Sequence, residues 1–80
     1  MQRIRKSAAF GAAIRKLRNE AGLTQEQAAA KLQLHGFDIS RSIYSQIECG
    51  LHGIRPEELV VLKKIFGVSY EDFFKDLEQE

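Results

Sequence analysis

The stretch from Thr24 to Gly50 is the most informative about the fold and reads TQEQAAAKLQLHGFDISRSIYSQIECG. Thr24 and Gln27 are spaced as a capping box, in which each side chain accepts a hydrogen bond from the backbone N–H of the other residue. The alanine-rich segment that follows has high helix propensity. Gly36 is a candidate for the left-handed residue that ends many helices. The stretch therefore predicts a helix from Thr24 to about His35.

The second half of the stretch predicts another helix, which begins at Ser40 and ends at Gly50. Ser40 is a favourable N-cap residue because its hydroxyl can accept a hydrogen bond from a free backbone N–H. Ile39 and Tyr44 occupy the positions of a hydrophobic staple around this cap. Residues 33–39 connect the two helices.

The helix from Ser40 to Gly50 has one polar arc and one apolar arc. At 100° per residue, the polar arc holds Arg41, Ser42, Ser45, Gln46 and Cys49, and the apolar arc holds Ile43, Tyr44 and Ile47. An ordinary exposed helix carries several Lys and Glu, whereas these short side chains leave room for close approach to a groove. Arg pairs bidentately with guanine and Gln with adenine. The arc favours base reading by Arg41, Ser42 and Gln46, with an ordinary serine-rich surface as the alternative.

Three further helices are predicted around this pair, and together they indicate an all-α, compact bundle of about five helices. Their starts are marked by Ser7, Pro56 and Ser69, and two of them end at Gly22 and Gly67. Their apolar positions recur at helical spacing: Phe10, Ile14, Leu17 and Ala21; Leu59, Leu62, Ile65 and Phe66; Tyr70, Phe73, Phe74 and Leu77.

The composition excludes several classes of protein. The chain has 80 residues and a single cysteine, Cys49, so it has no intramolecular disulfide. No apolar run approaches the length of a membrane span or a signal peptide, which predicts a cytoplasmic protein without a membrane segment. His35 and His52 have no partner at metal-site spacing, so we expect no metal and no cofactor. Paired carboxylates fall only in first helical turns, and an enzyme is not predicted.

The charge is unevenly distributed along the chain. Residues 1–56 carry nine Lys or Arg against four Asp or Glu, whereas residues 57–80 carry three against seven. A basic region is the one expected to face phosphate. The acidic region is expected to face solvent or a protein partner.

Three segments, Leu23–Ala29, Ser40–Gly50 and Phe66–Phe74, resemble the Cro/cI-type helix-turn-helix family, also called the xenobiotic-response-element family. The resemblance covers roughly residues 10–75 and implies a lambda-repressor-like fold. It also implies sequence-specific binding to double-stranded DNA and regulation of transcription, more specifically repression. The family usually acts as a homodimer on two-fold symmetric operators, so we expect a homodimer here.

The resemblance assigns roles to individual residues. Its base-reading positions are Arg41, Ser42 and Gln46, and we add Ser45 from the same arc. Its phosphate contacts are Thr24 and Gln25, to which we add Arg55, the charged residue of the loop after Gly50. Arg18 and Glu48 match a structural salt bridge between the first and third helices.

We expect residues 1–80 to form one domain. The helix-turn-helix spans 24–50, and its connection at 33–39 is about one helical turn longer than usual in the family. Residues 1–6 form a basic N-terminal arm, and residues 69–80 form an acidic C-terminal helix and tail.

Some features keep two interpretations. The arm, with Arg3, Arg5 and Lys6, either follows DNA or is solvated. Cys49 is either a redox switch or only a small residue on the outer arc. The apolar positions of the fifth helix either complete the core or form a homodimer contact. The alternative function is an antitoxin-like or co-regulatory protein-interaction module, which would hold a protein partner through the C-terminal helix.

Overall fold

The computed structural model describes residues 7–77, and all of its regular elements are helices. They are α1 (Ala8–Glu20), α2 (Gln25–Leu34), α3 (Arg41–Glu48), α4 (Pro56–Phe66) and α5 (Tyr70–Phe74). The predicted all-α bundle of five helices is confirmed. Within residues 7–77, no helix is both long enough and apolar enough to cross a membrane. The predicted arm at 1–6 and the end of the tail at 78–80 lie outside the described residues.

Side-chain caps fix where the helices begin. At α2, the Thr24 hydroxyl accepts from the Gln27 N–H at 3.1 Å, and the Gln27 side-chain oxygen accepts from the Thr24 N–H at 2.9 Å. At α4, Pro56 is the first residue, and Glu58 accepts from the Arg55 N–H at 2.8 Å. The remaining caps are Ser7, Ser40 and Ser69, each of which accepts a backbone N–H three residues later.

The end of α2 sets the long connection to α3. Gly36 adopts a φ of 89°, which a residue with a side chain rarely adopts. The Phe37 N–H reaches back to the Leu32 carbonyl at 3.2 Å, and the Gly36 N–H reaches the Gln33 carbonyl at 2.9 Å. These two bonds form a Schellman ending at Gly36, the residue predicted to end the helix. The Gln33 side chain also donates to the Ile39 carbonyl at 2.9 Å, so the connection is braced at both ends.

The core lies where α1 packs against α3 and α5, and α2 packs against α3 and α4. Its fully buried large side chains are Ile14, Leu32, Tyr44, Ile54, Leu62 and Phe73. At Gly11, the backbone of α1 lies close to the end of α3. A Cβ added there would overlap the carbonyl oxygens of Ile47 and Glu48. The absence of a side chain at Gly11 therefore fixes how near α3 lies to α1.

The apolar stripe predicted for α1 is wrong at one position. Phe10, Ile14 and Leu17 are buried, but Ala21 is exposed. Ala21 is the C-cap, one residue beyond the last helical residue, and Gly22 turns the chain away with a φ of 75°. The helical period therefore applies only as far as Glu20 and does not place Ala21 in the core.

The α5 pattern is also partly wrong. Phe73 is fully buried, and Phe74 and Leu77 pack against the core from partly buried positions. Tyr70 is 43% exposed, with the Lys63 ammonium 5.2 Å from its ring centroid. The helix ends at Phe74 after five residues, so Leu77 of the predicted stripe lies beyond it. Most of the apolar surface of α5 thus completes the core.

Candidate nucleic-acid interface

The outer face of α3 is a polar surface. Arg41, Ser42 and Gln46 are exposed, and Ser45 is partly buried. Together with Gln25 from α2 they line one open groove of about 540 Å³. The structure therefore brings together on one surface the four residues predicted to read bases and one predicted to contact phosphate.

Packing of the opposite face orients this surface. Tyr44, Ile47 and Glu48 are buried, with exposures of 0%, 3% and 6%. The burial follows from sequence spacing, because positions three and four residues apart lie on one face of a helix. With these side chains held in the core, α3 has no freedom to rotate, and its polar arc must face outward.

The N-terminus of α2 lies beside the outer face of α3. A second depression, of about 450 Å³, extends the groove and shares Gln25 and Arg41 with it. Thr24 lines this depression and caps α2, whose first free backbone N–H groups favour an anion such as phosphate. Asn19 and Glu26 also line it, and the sequence analysis did not identify them. Nothing in their spacing marks them, since only the fold brings α1 and α2 together here.

A buried polar network lies directly under this surface. The Arg18 Nε donates to Glu48 Oε2 at 2.6 Å, and its Nη2 donates to Glu48 Oε1 at 3.1 Å. The Arg18 Nη1 donates to the Leu23 carbonyl at 2.7 Å, just before α2 begins. The Arg18 and Glu48 side chains are 9% and 1% exposed. This bidentate pair joins α1, the start of α2 and the end of α3.

Gln25 belongs to both the network and the groove. Its side-chain nitrogen donates to Glu48 Oε1 at 3.0 Å, which uses one of its two N–H groups. The second N–H stays available for another acceptor. A phosphate contact by Gln25, as the sequence predicts, would thus extend the buried network to the groove surface.

The network holds its charges at neutral pH. The hydrogen bond to Glu48 raises the pKa of Arg18 above its ordinary value. Burial pushes the pKa of Glu48 upward, but hydrogen bonds from Arg18 and Gln25 outweigh it, so this pKa lies below its ordinary value. Both partners are therefore ionised at neutral pH, and neither charge is left without a partner.

Tyr44 is a member of this region that the sequence analysis treated only as an apolar residue. Its ring is fully buried, and its hydroxyl forms no hydrogen bond within the described part of the chain. Burial, and next the nearby Glu48 carboxylate, raise the pKa of this hydroxyl above its ordinary value. The hydroxyl therefore stays neutral beside the ion pair. The sequence signal of this neighbour is the spacing, because Tyr44 lies four residues before Glu48 and therefore on the same face of α3.

Arg55 is separated from the other predicted contacts. It caps the start of α4 and lines a different cavity, of about 250 Å³, beside Ile43, His52 and Glu58. It is exposed, and its phosphate contact stays a prediction. Cys49 is exposed at the end of α3. Among residues 7–77, no three His, Cys, Asp or Glu side chains are grouped as a metal site would require.

Comparison with known proteins gives a match to a family model and a similar protein. The helix-turn-helix family model matches residues 14–73, which include the whole of α2 and α3. The control protein C.MunI of a Mycoplasma species is 39% identical over 75 residues, which cover 89% of this chain and 90% of that protein. No solved structure gives a significant match. The chain therefore belongs to the Cro/cI-type helix-turn-helix family of DNA-binding transcriptional regulators.

Proposed function

We propose that the chain is a sequence-specific repressor that places α3 in the major groove of duplex DNA. One observation carries the proposal: the outer face of α3 offers hydrogen-bonding side chains with nothing to bond inside the protein. Within residues 7–77, the side chains of Arg41, Ser42 and Gln46 make no hydrogen bond to another residue. Donors and acceptors that are free in this way, on a helix whose orientation is fixed by its buried face, are suited to the edges of base pairs.

The roles on this surface follow from the chemistry of each side chain. Arg41 can donate two hydrogen bonds to guanine O6 and N7, and Gln46 can pair with adenine N6 and N7. Ser42 and Ser45 are short enough to let the helix lie deep in the groove and can bond to several base edges. Thr24 and Gln25 would set the position of the protein on the duplex through phosphate contacts.

Specificity requires a second copy in this proposal. α3 has eight residues and is about 12 Å long, so one copy spans only a few base pairs. A homodimer on a two-fold symmetric operator would place two α3 helices about 34 Å apart, in successive turns of the major groove. The dimer contact is proposed on α4 and α5, where Val60 and Tyr70 are 39% and 43% exposed.

The regulatory role is extended from the relative. C.MunI is named a control protein, and the match covers most of both chains. Control of gene expression in the cytoplasm by this chain is part of the proposal. Repression would result simply from occupancy, if the operator overlaps a promoter.

Selection of bound sites from a random duplex library would test the proposal. Wild type and Arg41→Ala are compared at physiological salt, with Arg15→Ala as the matched control, because Arg15 is an exposed arginine on α1. We expect wild type and Arg15→Ala to enrich the same two-fold symmetric sequence. Arg41→Ala should lose preference at one position of each half-site, at a cost of about 1–3 kcal/mol.

Two results would count against the proposal. An enriched sequence that is identical for Arg41→Ala would show that Arg41 does not read bases. Failure of wild type to enrich any sequence would favour the alternative, a module that holds a protein partner through α5. That alternative is supported by the acidic character of residues 57–80.

A further inference from the structure

A groove between the end of α2 and the last turn of α4 has no role in DNA binding as proposed above. The α2–α4 groove is lined by Lys31, Leu34, His35, Lys64 and Ile65 and has a volume of about 310 Å³. We infer that it docks an acidic, amphipathic segment of a protein partner. The groove is a different surface from the candidate DNA surface on α3, and the inference does not depend on DNA binding there.

Leu34 gives the groove its apolar anchor. It is 85% exposed, the highest value among the exposed large apolar side chains, although it lies in the last turn of a well-formed helix. A single exposed leucine on a convex surface needs no explanation. Leu34, however, shares a concavity with Ile65, which is partly buried against the core. An apolar side chain of a partner could be buried between them, which is how anchor residues act at interfaces.

The charge around the groove selects the partner. Lys31 comes from α2 and Lys64 from α4, and among residues 7–77 no carboxylate lines the groove. His35 adds an imidazole whose Nδ1 lies 2.9 Å from the Lys31 carbonyl oxygen. Two ammonium groups beside an apolar floor are complementary to a segment that presents an apolar residue between Asp or Glu residues.

The position of the groove argues against DNA as the occupant. The groove is at the C-terminal end of α2, whereas Thr24 and Gln25, which face the candidate DNA surface, are at its N-terminal end. The ten residues of α2 separate the two by about 15 Å. A partner could therefore occupy the groove while α3 lies on DNA.

The same charges argue against a second copy of the groove as the occupant. In a two-fold contact the same patch faces itself. Lys31 and Lys64 would then face the lysines of the other copy, and like charges brought together in an interface are unfavourable.

A titration of the isotopically labelled full chain, followed by NMR, tests the inference. The probe is a synthetic 16-residue helical peptide with Leu and Phe on one face and Glu on the other. We expect shift changes concentrated at the amides of Lys31, Leu34, His35, Lys64 and Ile65. Two control peptides should bind at least about tenfold more weakly. One has the same composition in scrambled order, and the other has Lys in place of Glu.

Leu34→Gln should weaken binding of the acidic peptide about tenfold, while the matched control Leu51→Gln should not. Leu51 is 71% exposed but lies in the loop after α3. Both variants should keep the wild-type affinity for duplex DNA, so failure of the groove and failure of DNA binding are told apart. The inference is overturned if the peptide shifts no resonances or shifts chiefly those of Arg41–Gln46. It is also overturned if dilution of the protein alone shifts the groove resonances, since these would then report contact between copies.

Discussion

The two faces of α3 differ in what they contact, although they alternate along the same eight residues. On the inner face, Tyr44 is fully buried, and Glu48 accepts hydrogen bonds from Arg18 and Gln25. On the outer face, Arg41, Ser42 and Gln46 are exposed, and their side chains form no hydrogen bonds within residues 7–77. The inner face therefore determines where α3 lies, and the outer face determines what it can read.

This difference predicts a separation of effects. Substitutions on the inner face should change the free energy of unfolding, because they remove buried partners. Substitutions on the outer face should change DNA recognition with little effect on folding. The comparison fails if either face controls both properties equally.

Glu48→Ala should have the largest effect on stability. It leaves the Arg18 guanidinium buried without its partner, and loss of one member of a buried pair costs about 3–5 kcal/mol. The matched control is Asp76→Ala, which removes an ion pair with Lys16 whose side chains are 51% and 54% exposed. That change should cost less than about 0.5 kcal/mol. Chemical denaturation measures both, and similar losses for the two variants would contradict a structural role for the buried pair.

Acid should weaken the same pair by a smaller amount than deletion does. The pKa of Glu48 in the folded protein lies below its ordinary value, so this group stabilises the fold above that ordinary value. The stabilisation is lost as the pH falls through the folded pKa. Asp72, whose pKa is lowered by hydrogen bonds from Ser69, contributes with the same sign.

Melting temperatures from pH 7 down to about 3 test this dependence, with Glu48→Gln as the comparison. Glutamine keeps the shape of the side chain and does not titrate, although its NH2 group donates where one carboxylate oxygen of Glu48 accepts. The variant should show a shallower fall than wild type, and Asp72 should account for part of what remains. Parallel curves for the two proteins would mean that Glu48 does not carry the acid sensitivity.

Gln46→Ala tests the outer face. It should reduce discrimination at one base pair by about 1–3 kcal/mol, since one bidentate contact is lost. The free energy of unfolding should stay within about 0.5 kcal/mol of wild type, because the side chain is exposed. Binding to the selected site and to variants of it, measured together with thermal unfolding, separates the two quantities. A lowered melting temperature would show that the outer face also supports the fold.

The inner and outer faces were predictable from the sequence because they depend on local signals. The caps at Thr24 and Ser40 and the turn at Gly36 act within a few residues, and the helical period then sorts polar from apolar positions. The pairing of Arg18 with Glu48 is different. Thirty residues separate them, and only the resemblance to a known family indicated that they meet.

Other features depend on contacts between helices and were not predictable. One is the exposure of Leu34 at the end of α2, and another is the position of Arg18 near the Tyr44 hydroxyl, which follows from the packing of α1 on α3. Tyr70, the first residue of α5, is 43% exposed although its spacing groups it with the buried Phe73. A pattern along one chain segment does not contain the distance to another segment.

Gly11→Ala tests whether the position of α3 is set by its approach to α1, and here a smaller loss of stability is expected than for Glu48→Ala. Replacing a glycine inside a helix by alanine normally stabilises it by about 1 kcal/mol. At Gly11, however, the new methyl group would overlap the Ile47 and Glu48 carbonyl oxygens, and such overpacking costs about 1–3 kcal/mol.

The two terms oppose each other, and we expect a net loss of about 1 kcal/mol. Ala12→Gly, at an exposed position of the same helix, calibrates the propensity term alone. Relief of the overlap would move α3 away from α1, so Gly11→Ala should also weaken DNA binding. Ala12→Gly, which leaves α3 in place, should not. A melting temperature above that of wild type, with unchanged DNA affinity, would show that the inner face does not fix the position of the outer one.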